Sequence, residues 1–376
     1  MRSSYIAFSV INLFLLAQLN LAQAKSSLDL LDLPAKQSSL ASKSVLMAMI
    51  PMNNTILAVG ERGHIISWKD NADWQQQSPV SVSITNVTLL SDGSKIAVGH
   101  DGVILKTENN SSTWRKVFTG AELTKLKIAQ LKKQHAALKL VINATQDEDE
   151  LEELTYQLED LAFALEDNQI ELESGPNKPL LSVTRTASDL LFATGAYGTL
   201  LTSNDKGETW TLISKRLDNP DKFHLNSIIT TSNDHLYIVG ENGMGFQSTN
   251  QGKTWSSMAL PYYGSLFGII AHAEKSKQLV AFGLQGNLMV SLDGGENWQH
   301  KKLPTSASLL GGDFSPQGKA YLVGHGGIIV DFMPENLASL HINKHPSGAA
   351  LSSVLVQKNS LILAGQFGIS SWLLKQ

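Results

Sequence analysis

Seven G-x-x-G tetrads punctuate the chain, at Gly60/Gly63, Gly99/Gly102, Gly195/Gly198, Gly240/Gly243, Gly283/Gly286, Gly324/Gly327 and Gly365/Gly368. The steps between their first glycines are 39, 96, 45, 43, 41 and 41 residues. Each tetrad follows a short run of β-forming residues, such as Ile56 to Val59, Leu236 to Val239 or Leu361 to Ala364. A repeat of roughly 40 residues with several strands per copy is the pattern of a β-propeller, whose units bury their faces only by stacking around a ring. Seven copies predict an all-β fold of seven blades.

The double-length second step marks an insertion. Between Thr119 and Ser174 the turn residues vanish and helical periodicity takes over. Thr119-x-x-Glu122 and Thr145-x-x-Glu148 read as capping boxes opening two helices. The second helix carries Leu151, Leu154, Leu158, Leu161, Leu165 and Leu172 on alternating steps of three and four, with Asn168 at the skipped place. The first offers Ile128, Leu131, His135, Leu138 and Ile142 at the same spacing. One helix is basic and the other acidic, so an antiparallel helical (coiled-coil) hairpin is expected, closed by Ser174-Gly175-Pro176.

Of the 376 residues 42% are hydrophobic and the formal net charge is -4, enough for a sizeable core and against nucleic-acid binding. Cysteine is absent, which excludes disulfides, thiolate catalysis, cysteine zinc sites and a lipid anchor on cysteine. Arg2, the apolar run Tyr5 to Leu16 and Ala22-Gln23-Ala24 have the form of a secretory signal peptide over 1–24, cleaved after Ala24. Export to a periplasm is the expectation. The domains then read 25–118 for a closing strand with blades one and two, 119–174 for the hairpin, and 175–376 for blades three to seven. The last repeat supplies only three strand candidates, so the segment Lys25 to Lys36 is expected to add a fourth and close the ring.

A second motif follows in three copies: Ser203-x-Asp205-x-Gly207-x-x-Trp210, Ser248-x-Asn250-x-Gly252-x-x-Trp255 and Ser291-x-Asp293-x-Gly295-x-x-Trp298. Thr107, Asn109, Ser111 and Trp114 form a worn copy, and Asp70 with Trp74 a vestige. This is the Asp-box, or bacterial neuraminidase repeat. Its short polar side chains suit backbone N–H groups in a turn, and its tryptophan suits a place between blades. It reads as a folding device, not a catalytic site.

The G-x-x-G turns should join second and third strands, on the face that also carries the blade-to-blade connections. Residues between the glycines would then ring one mouth: Glu61, Arg62, His100, Asp101, Tyr197, Glu241, Asn242, Gln285, His325 and Phe367. Variable loops on a fixed scaffold suit binding, although the same residues also suit plain solvated turns. The hairpin and the connection bearing Tyr262, Tyr263 and Phe267 should rise from the same face as a partner-binding surface, unless those aromatics bury against the ring.

Catalysis has thin support. A sialidase needs three converging arginines, and beyond the leader only Arg62, Arg115, Arg185 and Arg216 occur. Glu61, Asp101 and Glu241 could converge as glycosidase carboxylates, yet no spacing singles them out. His100 and His325 sit on different blades, so no metal or cofactor is expected.

Seven short blades with G-x-x-G turns, Asp-boxes and a leader resemble the photosystem II assembly/stability factor family of β-propellers, from Ser44 to Gln376 apart from the insert. The resemblance implies a non-enzymatic assembly factor for membrane protein complexes. Exported relatives in bacteria without photosystems look like accessory partners of membrane exporters of the resistance-nodulation-division type. The hairpin lies outside the family's basic pattern. The expected function is therefore a periplasmic, non-catalytic, monomeric propeller serving a membrane complex. The alternatives are a carbohydrate-binding protein or glycoside hydrolase, and self-association through the hairpin's leucine seam.

Overall fold

The computed structural model describes residues 29–69 and 72–374; the leader, Lys25 to Leu28 and Asp70 lie outside them. Six antiparallel sheets of four strands and one of three follow each other in chain order. The innermost strands are Leu46–Pro51, Ile84–Leu89, Leu180–Arg185, Leu225–Thr230, Leu266–Ala271, Leu309–Phe314 and Leu351–Val356. Each packs on the inner strands before and after it, and the last packs on the first, which makes a closed ring of seven blades.

Residue choice follows depth in the blade. The second strand is buried on both faces, as at Leu236–Gly240, and its sequence L-Y-I-V-G is an unbroken apolar run. Outer strands are more exposed, fully so at Gln299–Lys302. The core is accordingly divided into seven clusters, one per blade junction. Leu57, Val59, Val87 and Leu105 fill the first, and Ala41, Leu46, Ile362 and Ala364 the last. Each fully buried aliphatic side chain contributes about 1.5–3 kcal/mol, so the junctions rather than the single blades hold the ring.

The S-x-D/N-x-G-x-x-W turns join third to fourth strands. Ser203 Oγ accepts the Gly207 N–H at 2.9 Å, Asp205 accepts the Thr209 N–H at 2.9 Å, and the Trp210 indole donates to the Gly207 carbonyl at 3.2 Å. The Ser291 turn repeats this, and the Ser248 turn repeats its two backbone N–H contacts. Trp210 lies 5% exposed among Ile96 and Val98 of blade two and Leu191 and Leu201 of blade three, so the turn welds its blade to the preceding one.

The insertion forms α1 (Gly120–Ala144) and α2 (Glu148–Ser174), packed as an antiparallel hairpin along the two leucine-rich seams. Thr119 is the N-cap of α1, its hydroxyl bonded to Glu122. The second capping box differs from expectation. Thr145 ends α1, donating back to the Val141 carbonyl, and Asp147 caps α2 by accepting the Glu150 N–H at 3.0 Å. A carboxylate is at least as good a cap as a threonine hydroxyl, and its charge suits the N-terminus.

The closing strand expected from Lys25 to Lys36 also needs correction. In its described part, Asp29 to Lys36, there is no strand, and the seventh sheet holds only Leu351–Val356, Ser360–Gly365 and Gly368–Leu373 among the described residues. A turn at Asp29–Asp32 and the missing N–H of Pro34 break the extended pattern. The segment lies instead along blade one and the following connection. Its Leu30 carbonyl accepts from Ser81 N–H and its Lys36 carbonyl from Gln75.

Candidate functional site

Six of the seven tetrads adopt one local geometry, and its constraints explain the motif. The N–H after each first glycine donates to the residue preceding the blade's own inner strand. Glu61 binds the Val45 carbonyl at 3.0 Å, Glu241 that of His224 at 3.0 Å, and His325 that of Ser308 at 2.9 Å. A Cβ on Gly60, Gly240 or Gly324 would stand 2.0–2.1 Å from that same carbonyl oxygen, so only glycine fits. The third tetrad residue takes a left-handed conformation, with φ of 54° at Arg62, 55° at Asp101, Tyr197 and Gln285, and 52° at Asn242. The seventh tetrad departs from this and makes a plain hairpin turn.

That geometry sorts the expected mouth residues. The first variable position turns back on its own blade: the Glu61 carboxylate accepts from Val45 N–H at 3.2 Å, and Glu241 from His224 N–H at 2.9 Å. The second faces solvent at Arg62, Tyr197, Asn242, Gln285 and Phe367, with Tyr197 53% and Phe367 64% exposed. His100 and His325 are also exposed, on separate blades. Asp101 is half-buried where the hairpin base meets blade two, and burial pushes its carboxyl up.

In the blade-four connection Tyr262 packs inward, its ring 5.6 Å from that of His300 and its hydroxyl 3.3 Å from Asn287 Nδ2. Tyr263 is 86% exposed. Phe267 occupies a bulge in the inner strand and is half-buried.

The hairpin stands on this same face. Its first turns are docked, with Leu123 and Thr124 each 1% exposed, and Gly120 lies against the His100–Gly102 turn. The Gln130 side chain then donates to the Leu212 carbonyl of blade three at 2.8 Å, and beyond it the hairpin overhangs that blade. Between them runs a groove of about 1070 Å³. Lys127 of α1, Glu171 of α2, Lys178, Tyr197 and Lys222 converge on it.

The groove is electrostatically tense. Lys178 pairs with Glu171 and stands 5.2 Å over the Tyr197 ring. Burial, with Lys178 and Lys222 nearby, brings the Lys127 ammonium down to about 8 against the pull of Glu171. Asn168 Oδ1 and Glu171 Oε1 are buried acceptors without a partner. Tyr197 also packs edge-on to His224, 5.0 Å away, and His224 Nδ1 lies 3.5 Å from Glu241. Of the expected mouth residues, Tyr197 and Glu241 are thus linked through His224. Lys127, Lys178 and Lys222 were missed by sequence reasoning, because charged residues on a helix and in loops carry no motif.

Catalytic constellations are not assembled by the arginines. Arg115 lies on the outer strand of blade two and pairs with Glu208 and Glu108. Arg185 donates to the Leu89 carbonyl and Asp189, Arg216 to the Gly252 carbonyl, and Arg62 is exposed in the turn of blade one. Turn hydrogen bonds hold the Asp205 carboxyl, despite partial burial, and that of Asp293 at about 2, as permanent acceptors rather than proton donors. Among the described residues no three His, Asp or Glu side chains cluster as metal ligands, and no helix is long and apolar enough to cross a membrane.

Known structures confirm the architecture. "YCF48 bound to D1 peptide" superposes with a TM-score of 0.59 at 10% identity, covering 91% of this chain and 97% of that one. "YCF48 from Cyanidioschyzon merolae" gives 0.57 at 13%, covering 90% and 98%. These are photosystem II assembly factors, the family that the motifs resemble. The extracellular domain of BT4673 from B. thetaiotaomicron gives 0.61 at 12%, covering 91% of this chain and 40% of that one. The family model "Sortilin, neurotensin receptor 3" matches residues 198–320, the stretch from the third tetrad to blade six. Among curated proteins none matches by sequence.

Proposed function

We propose that this chain is a non-catalytic, exported propeller that accepts an extended segment of a membrane-protein partner in the groove between its hairpin and blade three. The observation that carries this reading is the groove itself. It opens on the turn face and presents an exposed tyrosine beside three lysines and the Glu171 carboxylate, a mixed lining suited to the backbone and side chains of an extended segment.

A structural neighbour was solved with a D1 peptide bound, which supports peptide capture as a use of this fold. The N-terminal apolar run and the A-x-A site support export. An accessory or assembly role for a membrane complex, an exporter of the resistance-nodulation-division type included, follows from the same resemblance. Arginines committed to backbone and carboxylate partners argue against the sialidase-like alternative.

The test is an affinity capture from detergent-solubilised native membranes, comparing the intact chain with one lacking Thr119 to Ser174. A membrane protein retained only by the intact chain supports the groove. Equal capture by both moves the contact to the remaining turn face, and no capture by either removes the reading.

A further inference from the structure

The hairpin has two free sides, and one carries a pattern that the groove does not use. Positions one residue before each leucine seam line the groove, as at Lys127, Gln130, Asp160 and Asp167. Positions one residue after the seam are rotated by about 100° in each helix. Because the helices are antiparallel, these positions turn to one common side of the hairpin, away from the groove.

On α2 those positions include Glu152, Glu159, Glu166 and Glu173, seven residues apart and all exposed; Tyr156, Phe163 and Ile170, 61%, 66% and 56% exposed, stand two residues after the seam, on the outer edge of that side. These outer places alternate with the glutamates in steps of four and three. This is a second heptad seam in which every other place is a glutamate. On α1 the same side bears Lys125, Lys132 and Lys139, again seven apart, alternating with Ala129 and Ala136. Leu140, 72% exposed, stands one turn beyond Ala136.

The two seams are complementary in charge, glutamates against lysines, as heptad pairing between chains requires. Among the described residues none of these glutamates, nor Lys132 or Lys139, has an ion-pair partner, and Lys125 meets only Glu122, at 3.8 Å. Within one chain the seams lie side by side and cannot pack on each other, since the leucine seams already join the helices.

We propose that this face binds a second copy of the same chain. A two-fold axis along the hairpin sets α1 of each copy on α2 of the other, as an isologous four-helix bundle. With the two tips level, Lys139 meets Glu152, Lys132 meets Glu159 and Lys125 meets Glu166, and the pairs recur by symmetry. The groove faces outward from this bundle, so pairing of copies and capture of a partner use opposite sides and fail independently.

The experiment measures the mass of the purified chain by sedimentation over a concentration series, at low and high salt. The expected result is a dimer that weakens with salt. Reversing K125E/K132E/K139E, or E152K/E159K/E166K, should weaken association by roughly a hundredfold or more, with helical content unchanged. Mixing the two reversed variants, or combining all six changes in one chain, should restore the dimer. A monomer throughout, or a dimer that ignores both reversals, overturns the proposal.

Discussion

Ser352 Oγ donates to the Leu46 carbonyl at 2.5 Å, across 306 residues of sequence. Ser352 is the bulged residue of the last inner strand, and Leu46 opens the first. The same bulge carries Thr85, which donates to Leu180 of the next blade at 2.7 Å, and Asn226, which donates to Leu266 at 2.8 Å. The ring thus closes at its seventh junction by a contact that other junctions also use, with three strands in the last described blade.

Ser352→Ala should cost about 1 kcal/mol by removing that bond while leaving an apolar junction intact. Leu46→Ala, at the centre of the closing cluster, should cost about 2–5 kcal/mol. Chemical unfolding of the two variants gives the comparison, and equal costs would contradict closure by packing.

Two glycines of the tetrads should differ in how much they tolerate. Gly240→Ala drives a Cβ to 2.1 Å from the His224 carbonyl oxygen, and a shift of the inner strand should cost about 1–3 kcal/mol or more. At Gly326 nothing lies within 4 Å, so Gly326→Ala should cost about 1 kcal/mol, from its φ of 66° alone. Thermal unfolding separates them.

The fold was legible because its constraints are local and repeated. Gly240 must be glycine for one carbonyl, and Ser203, Gly207 and Trp210 each meet fixed partners in the turn, so the three full copies keep the same letters at these places. The leucine seams announced the hairpin in the same way. The closing segment was misread because its alternation around Leu28, Leu30 and Leu33 resembles a strand, while Pro34 and the Asp29–Asp32 turn decide otherwise. The groove was illegible for another reason. Lys127, Lys178, Tyr197 and Lys222 come from four separate segments, and only the overhang of the hairpin brings them together.

The turn motif gives a third prediction. Trp210→Ala empties a site shared by blades two and three and should cost about 3–5 kcal/mol. Ser203→Ala strands the Gly207 N–H and should cost about 1–3 kcal/mol. Hydrogen exchange at Gly207 should rise in the serine variant alone if the rest of the ring is intact.

Asp313 should set a pH dependence. Burial between blades six and seven pushes its carboxyl up to about 6, against hydrogen bonds from Val356 and Phe314. A group that binds its proton more tightly folded than unfolded makes stability fall as pH rises, here between the ordinary aspartate value of 3.8 and about 6. The loss should be about 2–3 kcal/mol at most, and Asp313→Asn should flatten the profile across that window. Asp205 and Asp293 act with the opposite sign and only at lower pH, where stability falls as pH drops.

The most direct measurement places a photo-crosslinking amino acid at position 197, with controls at exposed outer-strand positions 299 and 301. The chain is irradiated in its native membranes. The account predicts a membrane-protein adduct from position 197 that is lost when Lys127 and Lys222 are both changed to glutamate. Adducts only from the outer-strand positions, or none from any position, would contradict capture in the groove.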